Sequence, residues 1–296
     1  MVECVKESFE KKPPWLKKEW RMTEGMETVE ALVQELGLNT VCREASCPNY
    51  TECFGRGVAT FMILGANCTR CCGFCGVAHA GPELVDPNEP VRVAEAVKRL
   101  GLSYVVVTSV TRDDLEDGGA GHFAKTVKEI RRLCPGTKIE TLIPDFGGVE
   151  SSLDLVIDAS PDIISHNMET VKALYPKVRP QADYGRSLRV LERVAEAGAL
   201  GALAGLKCKS GFMAGVGESN EEVLELMDDL RKVGCTILTI GQYLRPAAAN
   251  IPVEAYIEPA IFDRWADEAR ARGFEYVASA PFVRSSYHAE EALDSF

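Results

Sequence analysis

From Val58 onward the chain repeats one pattern, an apolar β-rich run followed by an amphipathic helical run. That alternation limits the fold more than any other feature of the sequence. "VATFMILG" is followed by "VRVAEAVKRLG", whose apolar residues recur at helical spacing and which stops at Gly101; "SYVVVTSV" then reads as a buried strand. The pattern continues with helices expected over 122–133, 151–160, 185–197, 221–234 and 259–273. Between them lie the strands "KIETLIP", "DIISHNM", "ALAGLKCKSGFM", "TILTIGQYL" and "EYVASAP". Six or seven strands joined by helices predict an α/β fold, a parallel sheet with right-handed crossovers, open or curled into a partial barrel. Polar residues gather where the strands end, at Thr108, Asn167, Lys209 and Gln242. In parallel α/β folds the carboxyl edge of the strands carries the site, so a barrel gathers these residues around one mouth.

The preceding residues are different in kind: Pro-Pro, an amphipathic run "METVEALVQELG", then a cysteine-bearing loop. The expected organisation is an N-terminal extension over 1–57, a barrel over 58–280 and a C-terminal segment over 281–296. A chain of 296 residues, 46% hydrophobic and 26% charged, can bury the core such a fold needs. Its 33 Lys and Arg against 44 Asp and Glu leave a net charge of -11, so no global basic field exists to gather nucleic acid or anionic lipid. Only "KKPPWLKKEWR" is locally basic. Neither a secretory signal nor a membrane span is readable, which sets the expectation of a cytoplasmic protein. In that reducing compartment eleven cysteines, clustered towards the N-terminus, point to metal ligation rather than disulfides.

Two cysteine sets stand out. In "NCTRCCGFCGVAHA" the spacing Cys68-x3-Cys72-x2-Cys75 follows the first strand of the alternating series. Three thiolates at that spacing can hold three irons of a 4Fe-4S cluster and leave the fourth open to a substrate. The alternative is zinc, with Cys68-x2-Cys71 and Cys72-x2-Cys75 as two pairs. Adjacent Cys71 and Cys72 speak against it, because consecutive side chains point apart; iron-sulfur is the preferred reading and Cys71 a bystander. Upstream, Cys42-x4-Cys47-x5-Cys53 supplies three more thiols, too many for one cluster when added to the first, so two clusters are the simplest count. Cys4, Cys134, Cys208 and Cys235 read as small hydrophobes.

The stretches "LGLNTVCREASCPNYTECF", "CTRCCGFCGVAHA", "VVVTSVTRDDLEDGG", "HNMETV", "LYPKVRP", "DYGRSL", "KSGFMAGVGE" and "VRSSYHAE" together resemble the lipoyl synthase family of radical S-adenosylmethionine enzymes. The likeness runs from about residue 30 to the C-terminus. It implies a partial (β/α)6 barrel of the radical S-adenosylmethionine type with N- and C-terminal extensions, and two 4Fe-4S clusters. By the same resemblance, Cys68, Cys72 and Cys75 hold the cluster that binds S-adenosylmethionine and reduces it to a 5′-deoxyadenosyl radical. Cys42, Cys47 and Cys53, with Ser286 of "RSSY" on the fourth iron, hold an auxiliary cluster that gives up sulfur to C6 and C8 of a protein- or peptide-bound octanoyl-lysine. The implied partners are an octanoylated lipoyl carrier protein or domain, an electron donor such as ferredoxin or flavodoxin, and a cluster-repair carrier. A serine oxygen is a weaker partner for iron than a thiolate, which suits a cluster that must open.

Further candidates follow from position. Phe74 lies between two ligands and is expected to shield the cluster, to pack near adenine, or to belong simply to the core. Asn167 and Glu169, at a strand end, are expected at the sugar or amino group of S-adenosylmethionine, with turn capping as the alternative, and Lys209 and Ser210 at its carboxylate, with a solvated strand-end lysine as the alternative. "GVGES" lacks phosphate-loop spacing and reads as a turn opening a helix. His79, His122, His166 and His288 show no paired ligand spacing, and His166 is the best-placed neighbour of the site. The resembling family usually carries Arg, Pro and Asp where Cys71, Gly73 and Gly76 stand here, which leaves the ligands intact but alters the loop around them.

Overall fold

The structure, a computed structural model, describes residues 12–18, 24–55, 59–199, 203, 205–287 and 289–292. Cys4, His288 and the expected boundary between 57 and 58 lie outside the described residues.

The N-terminal part forms α1 (Glu24–Glu35), the short strand β1 (Asn39–Thr40), α2 (Val41–Glu44) and α3 (Tyr50–Gly55). The alternating series follows: β2 (Thr60–Ile63), α4 (Glu89–Leu100), β3 (Tyr104–Ser109), α5 (Ala120–Leu133), β4 (Lys138–Leu142), α6 (Glu150–Asp158) and β5 (Ile163–Ser165). It continues through α7 (Tyr175–Val178), α8 (Tyr184–Ala199), β6 (Lys207–Ala214), α9 (Asn220–Lys232), β7 (Ile237–Gln242), α10 (Pro259–Ala271) and β8 (Tyr276–Ser279). The eight strands form one sheet in sequence order. β2 to β8 are parallel and β1 pairs antiparallel with β2. The N-terminal extension therefore adds an edge strand to the barrel sheet as well as covering it.

Register sorts the strand side chains into two sets, because partners in a parallel ladder share a face and neighbours along a strand alternate. One set, including Phe61, Val107, Ile139, Ile164, Leu238 and Ile240, packs with the helices in the main core. Full burial of such a side chain contributes roughly 1.5–3 kcal/mol. The other set faces the barrel interior. There Ile163 and Ile237 pack with Tyr104 and Tyr276 as an apolar plug. That face also carries the apolar Met62 and Val106 and the polar Glu140, Ser165, Lys209 and Thr239, all buried.

Local signals explain several boundaries. α4 stops at Gly101, whose φ of 63° places it in the left-handed region. The "GVGES" turn is fixed by its own carboxylate: the Gly215, Val216 and Gly217 amides donate to Glu218, and Ser219 opens α9 in a capping box with Glu222. β5 is shorter than "DIISHNM" suggested because the chain turns at Glu169, a non-glycine residue with φ of 66°. β1, α2, α3 and α7 were not expected; at two to six residues they carry no readable periodicity. α2 depends on a cap, with the Thr40 hydroxyl accepting from the Arg43 amide.

Candidate active site

The loop after β2 holds Cys68, Cys72 and Cys75 in mutual electrostatic reach. Burial pushes the Cys72 thiol up to about 11, against the nearby Arg179, and Cys68 and Glu169 add to the rise. Burial, reinforced by Cys72, Cys68 and Glu169, pushes Cys75 up to about 12. Such thiols are protonated near neutral pH and become ligands when a cation displaces their protons. The Cys68 sulfur accepts from the Thr111 amide at 3.3 Å and the Arg70 amide at 3.5 Å, contacts that tune a cluster's potential. Cys71 is exposed, and its amide donates to Gln181 Oε1 at 2.6 Å.

Residues far away in sequence clamp this loop. The Gly73 amide donates to the Val178 carbonyl at 2.9 Å, and the Gly73 carbonyl accepts from the Ile251 amide at 2.9 Å. Asn250 Nδ2 donates to the carbonyls of Gly73 and Cys75. Both glycines sit where a side chain has little room. A Cβ on Gly73 would lie 2.9 Å from Ile251 Cγ2, and one on Gly76 would lie 3.3 Å from the Ala45 carbonyl oxygen. Gly76 is thus where the loop passes directly against the N-terminal cysteine segment.

Arg70, between two of the thiols, points into the barrel wall and is 5% exposed. Its Nε and Nη2 donate to Asp113 at 2.7 and 2.8 Å, and Nη2 also reaches Asp145 at 2.7 Å. Those carboxylates follow β3 and β4, so one guanidinium ties the loop after β2 to two neighbouring loops. Burial alone would raise the Asp145 carboxyl, but hydrogen bonding and charge from Arg70 prevail and hold it at about 2. This folded-state value lies below that of an unfolded Asp, about 3.9. The stability it contributes is therefore present above about pH 4 and is lost as pH falls through about 2. Asp145→Asn should cost about 2 kcal/mol near neutral pH and flatten the acid-side stability curve between about pH 4 and pH 2. Denaturant unfolding of metal-free protein across pH measures both; a variant with the parent's pH dependence would contradict the linkage.

At the end of β5, Asn167 Nδ2 donates to Glu169 Oε1 at 3.0 Å and to the Ser285 hydroxyl at 2.6 Å. Asn167 Oδ1 is buried without a partner. A Cβ on Gly211 would lie 3.2 Å from that oxygen and against the Thr239 hydroxyl, so the missing side chain keeps the place open. Burial raises the Glu169 carboxyl, opposed by Arg179, Asn167 and Arg284. Arg179 holds the turn from behind, donating to the carbonyls of Asn167 and Met168. Phe74 packs with Val178, Val216 and Tyr243.

Three expectations change. Lys209 faces the barrel interior, 1% exposed, and its ammonium is engaged by Glu140 at 2.8 Å and the Ser285 carbonyl at 2.6 Å. Ser210 is one residue on and so belongs to the opposite, helix-facing side, where its hydroxyl donates to the His166 carbonyl at 2.9 Å. The two cannot meet one carboxylate. His166 is also structural: burial holds its imidazole down at about 4, and its ring bridges the Ile143 carbonyl and the Ser187 hydroxyl. His122 pairs with Glu89 at 2.7 Å and His79 is exposed. Cys208 and Cys235 are buried and Cys134 is half-buried.

The second thiol triad lies in the N-terminal segment. Burial pushes Cys42 up to about 11, with Cys47 adding to the rise, and Cys53 up to about 12, with Cys42 and Cys47 both acting on it. The segment after β8 returns to these residues. Asn49 Nδ2 donates to the Phe282 carbonyl at 2.7 Å, and Tyr287 Oη donates to Glu52 at 2.7 Å. Lys18 binds Asn49 and Glu52 and lies over the rings of Phe282 and Tyr287. Arg284 interacts electrostatically with both Cys47 and Glu169, and Glu169 acts in turn on Cys72 and Cys75. The C-terminal loop thus touches both neighbourhoods, Phe282 meeting Asn49 near Cys47 and Ser285 meeting Asn167 beside Glu169. Among the described residues no three His, Cys, Asp or Glu side chains converge closely enough to chelate a single ion. The donor chemistry, two sets of three thiols with an orphaned amide oxygen and an open glycine cradle between the strand ends, fits iron-sulfur clusters and a polar cofactor.

The loop clamps escaped the sequence reading. Arg70, Asp113, Asp145, Arg179, Gln181, Asn250 and Arg284 are ordinary charged or amide residues until the fold brings them together; the one available signal was the position of Arg70 between two ligands.

Comparison with known proteins agrees with this geometry. Residues 62–230 match the Radical SAM superfamily. Among solved structures, the FeFe-hydrogenase maturase HydG from Carboxydothermus hydrogenoformans shares the fold with a TM-score of 0.60 and 14% identity, over 92% of this chain and 68% of that one. Methylornithine synthase (PylB) does so with a TM-score of 0.54 and 16% identity, over 90% and 87%. The match takes in more than half of the chain, which is a member of the radical SAM superfamily, with the 4Fe-4S cluster and S-adenosylmethionine that membership implies. Lipoyl synthases match far more closely: that of Alkaliphilus metalliredigens is 50% identical over 97% of both chains. That of Caldanaerobacter subterraneus is 52% identical over 96% of this chain and 97% of its own. The chain belongs to the lipoyl synthase family.

Proposed function

We propose that this chain inserts two sulfur atoms at C6 and C8 of an octanoyl-lysine presented by a carrier protein or domain, forming the lipoyl cofactor. When bound, a cluster with an open iron supplies the electron that cleaves S-adenosylmethionine to a carbon radical, and a second cluster supplies the sulfur. Neither His nor Glu could begin this reaction as a base, because the methylenes at C6 and C8 carry no acidic hydrogen. The protein's task is placement. Cys68, Cys72 and Cys75 hold the first cluster, and Cys42, Cys47, Cys53 and Ser286 the second. Asn167 and Glu169 orient S-adenosylmethionine through the orphaned amide oxygen and the carboxylate beside it, and Phe74 keeps water from the loop. Lys209 is engaged by Glu140 and the Ser285 carbonyl, and Ser210 faces away from the site.

The observation that carries this reading is the C-terminal loop, which meets Asn49, two residues from Cys47, through the Phe282 carbonyl and meets Asn167, the partner of Glu169, through the Ser285 hydroxyl. Sulfur transfer to an alkyl radical needs near-attack distances of about 3–3.5 Å, which two triads sharing one mouth can provide. The reductant would be a ferredoxin or flavodoxin and the spent cluster would be rebuilt by a carrier, in the cytoplasm; among the described residues no helix is long and apolar enough to cross a membrane.

Ser286 is the most exacting test. Ser286→Ala should leave 5′-deoxyadenosine formation largely intact and suppress sulfur insertion, while Ser286→Cys should bind iron more tightly and slow sulfur release. Anaerobic assays of both products measure this. If Ser285→Ala abolished insertion while both Ser286 variants kept the parent rate, the ligand would be Ser285; full activity in all three would end serine ligation here.

A further inference from the structure

The face inside the barrel carries one buried ion pair with no obvious part in binding S-adenosylmethionine. Lys209 on β6 is 1% exposed and Glu140 on β4 is 0% exposed. The ammonium donates to Glu140 Oε2 at 2.8 Å, and Tyr104 Oη on β3 donates to the same oxygen at 2.6 Å. Burying two charges is expensive, and such a pair is weak support for stability; its best use is to fix a geometry. An ammonium has three donors, and a second one is spent on the Ser285 carbonyl oxygen at 2.6 Å. Three strands of the barrel thus converge on one backbone atom of the C-terminal loop.

That atom is not arbitrary. The Ser285 carbonyl and the Ser286 amide belong to one peptide plane, which is rigid. Holding the carbonyl therefore fixes the place of the Ser286 Cα, which lies in the same plane, and leaves its hydroxyl only the rotations about φ and χ1. Asn167 holds the same residue by its hydroxyl, so Ser285 is fastened at two points. The turn is closed by the Tyr287 amide donating to the Arg284 carbonyl at 3.0 Å. A loop left to itself would not hold a ligand within the few tenths of an ångström a metal bond requires.

We propose that Lys209, backed by Glu140 and Tyr104, is a positioning residue that fixes the Ser285–Ser286 peptide and so aims the Ser286 oxygen at the iron held by Cys42, Cys47 and Cys53. This rests on the serine ligation set out under the proposed function. Lys209 touches no reacting atom; it acts through the backbone.

The test uses the full chain carrying Cys68→Ala, Cys72→Ala and Cys75→Ala, so that the auxiliary cluster alone contributes to the spectrum. Into it are placed Ser286→Ala or the neutral pair Lys209→Met with Glu140→Gln, which leaves no buried charge unpaired. Mössbauer spectra should show the differentiated fourth iron in the parent. Both variants should lose or broaden that component while keeping their iron content. In metal-free protein, the Tyr287 amide should exchange its hydrogen about tenfold faster in the neutral pair, the size expected for loss of one charge-assisted hydrogen bond. Glu140→Asp keeps both charges but withdraws the carboxylate by one methylene, so it should give both changes in weaker form and carries the test if the neutral pair does not fold. A fourth-iron component and Tyr287 exchange unchanged in the Lys209 and Glu140 variants, with Ser286→Ala altering the spectrum, would overturn the positioning role and leave serine ligation standing. A spectrum unchanged by Ser286→Ala would overturn both.

Discussion

Anaerobically reconstituted protein should hold about eight irons per chain, and changing Cys68, Cys72 and Cys75 together to alanine should reduce that to about four and abolish reductive cleavage of S-adenosylmethionine. The expectation rests on separation of the two ligand sets. Cys68, Cys72 and Cys75 act on one another, whereas Cys42, Cys47 and Cys53 form a second group in a different segment. Removing one set leaves the other's donors complete. The loss of cleavage should be total, because the open iron proposed to bind S-adenosylmethionine is held by these three thiolates alone. Iron and sulfide analysis with high-performance liquid chromatography for 5′-deoxyadenosine reads both effects. Stoichiometric zinc with little iron in protein purified without oxygen would contradict the ligand assignment outright.

The complementary variant divides the labour. Cys42→Ala, Cys47→Ala and Cys53→Ala together should leave about four irons and preserve cleavage of S-adenosylmethionine, yet abolish insertion of sulfur into an octanoyl-lysyl peptide. In the proposed assignment cleavage draws on the first cluster, Asn167, Glu169 and the loop clamps, none of which belongs to the N-terminal triad. Sulfur insertion needs a sulfur source at the same mouth. Cys42 is a buried member of the main core, so the triple change removes packing as well as ligands. Iron content of the remaining site therefore serves as the folding control. Loss of cleavage in a variant that still held its four irons would show that the two sites are not separable.

Much of the scaffold was legible because it depends on local pattern. Every strand of the parallel series appeared as an apolar run, and both thiol triads appeared as spacings, since cluster ligands on a short loop must be close in sequence. The supporting contacts were not legible for the opposite reason. Arg70 meets Asp113 and Asp145 across three loops, and Asn250 reaches Gly73 and Cys75 from the far end of the sheet. No sequence window contains both partners. Ser210 is a different case. Strand alternation alone puts it on the opposite face from Lys209, so the signal was present; grouping both residues as a strand end overlooked the period of two. The role of Lys209 was hidden more deeply, because its partner is a backbone carbonyl of the C-terminal loop, and any residue at 285 could provide it.

In the proposed reaction the N-terminal triad holds the sulfur that reaches the product. Protein reconstituted with sulfur-34 sulfide, freed of excess sulfide, reduced and given S-adenosylmethionine and an octanoyl-lysyl peptide without oxygen tests it in one measurement. The expected result is 5′-deoxyadenosine together with a lipoyl peptide whose two sulfur atoms both carry the heavy isotope, and neither labelled product nor insertion in the Cys42, Cys47 and Cys53 variant. A lipoyl peptide containing only unlabelled sulfur, or labelled product from that variant, would contradict it.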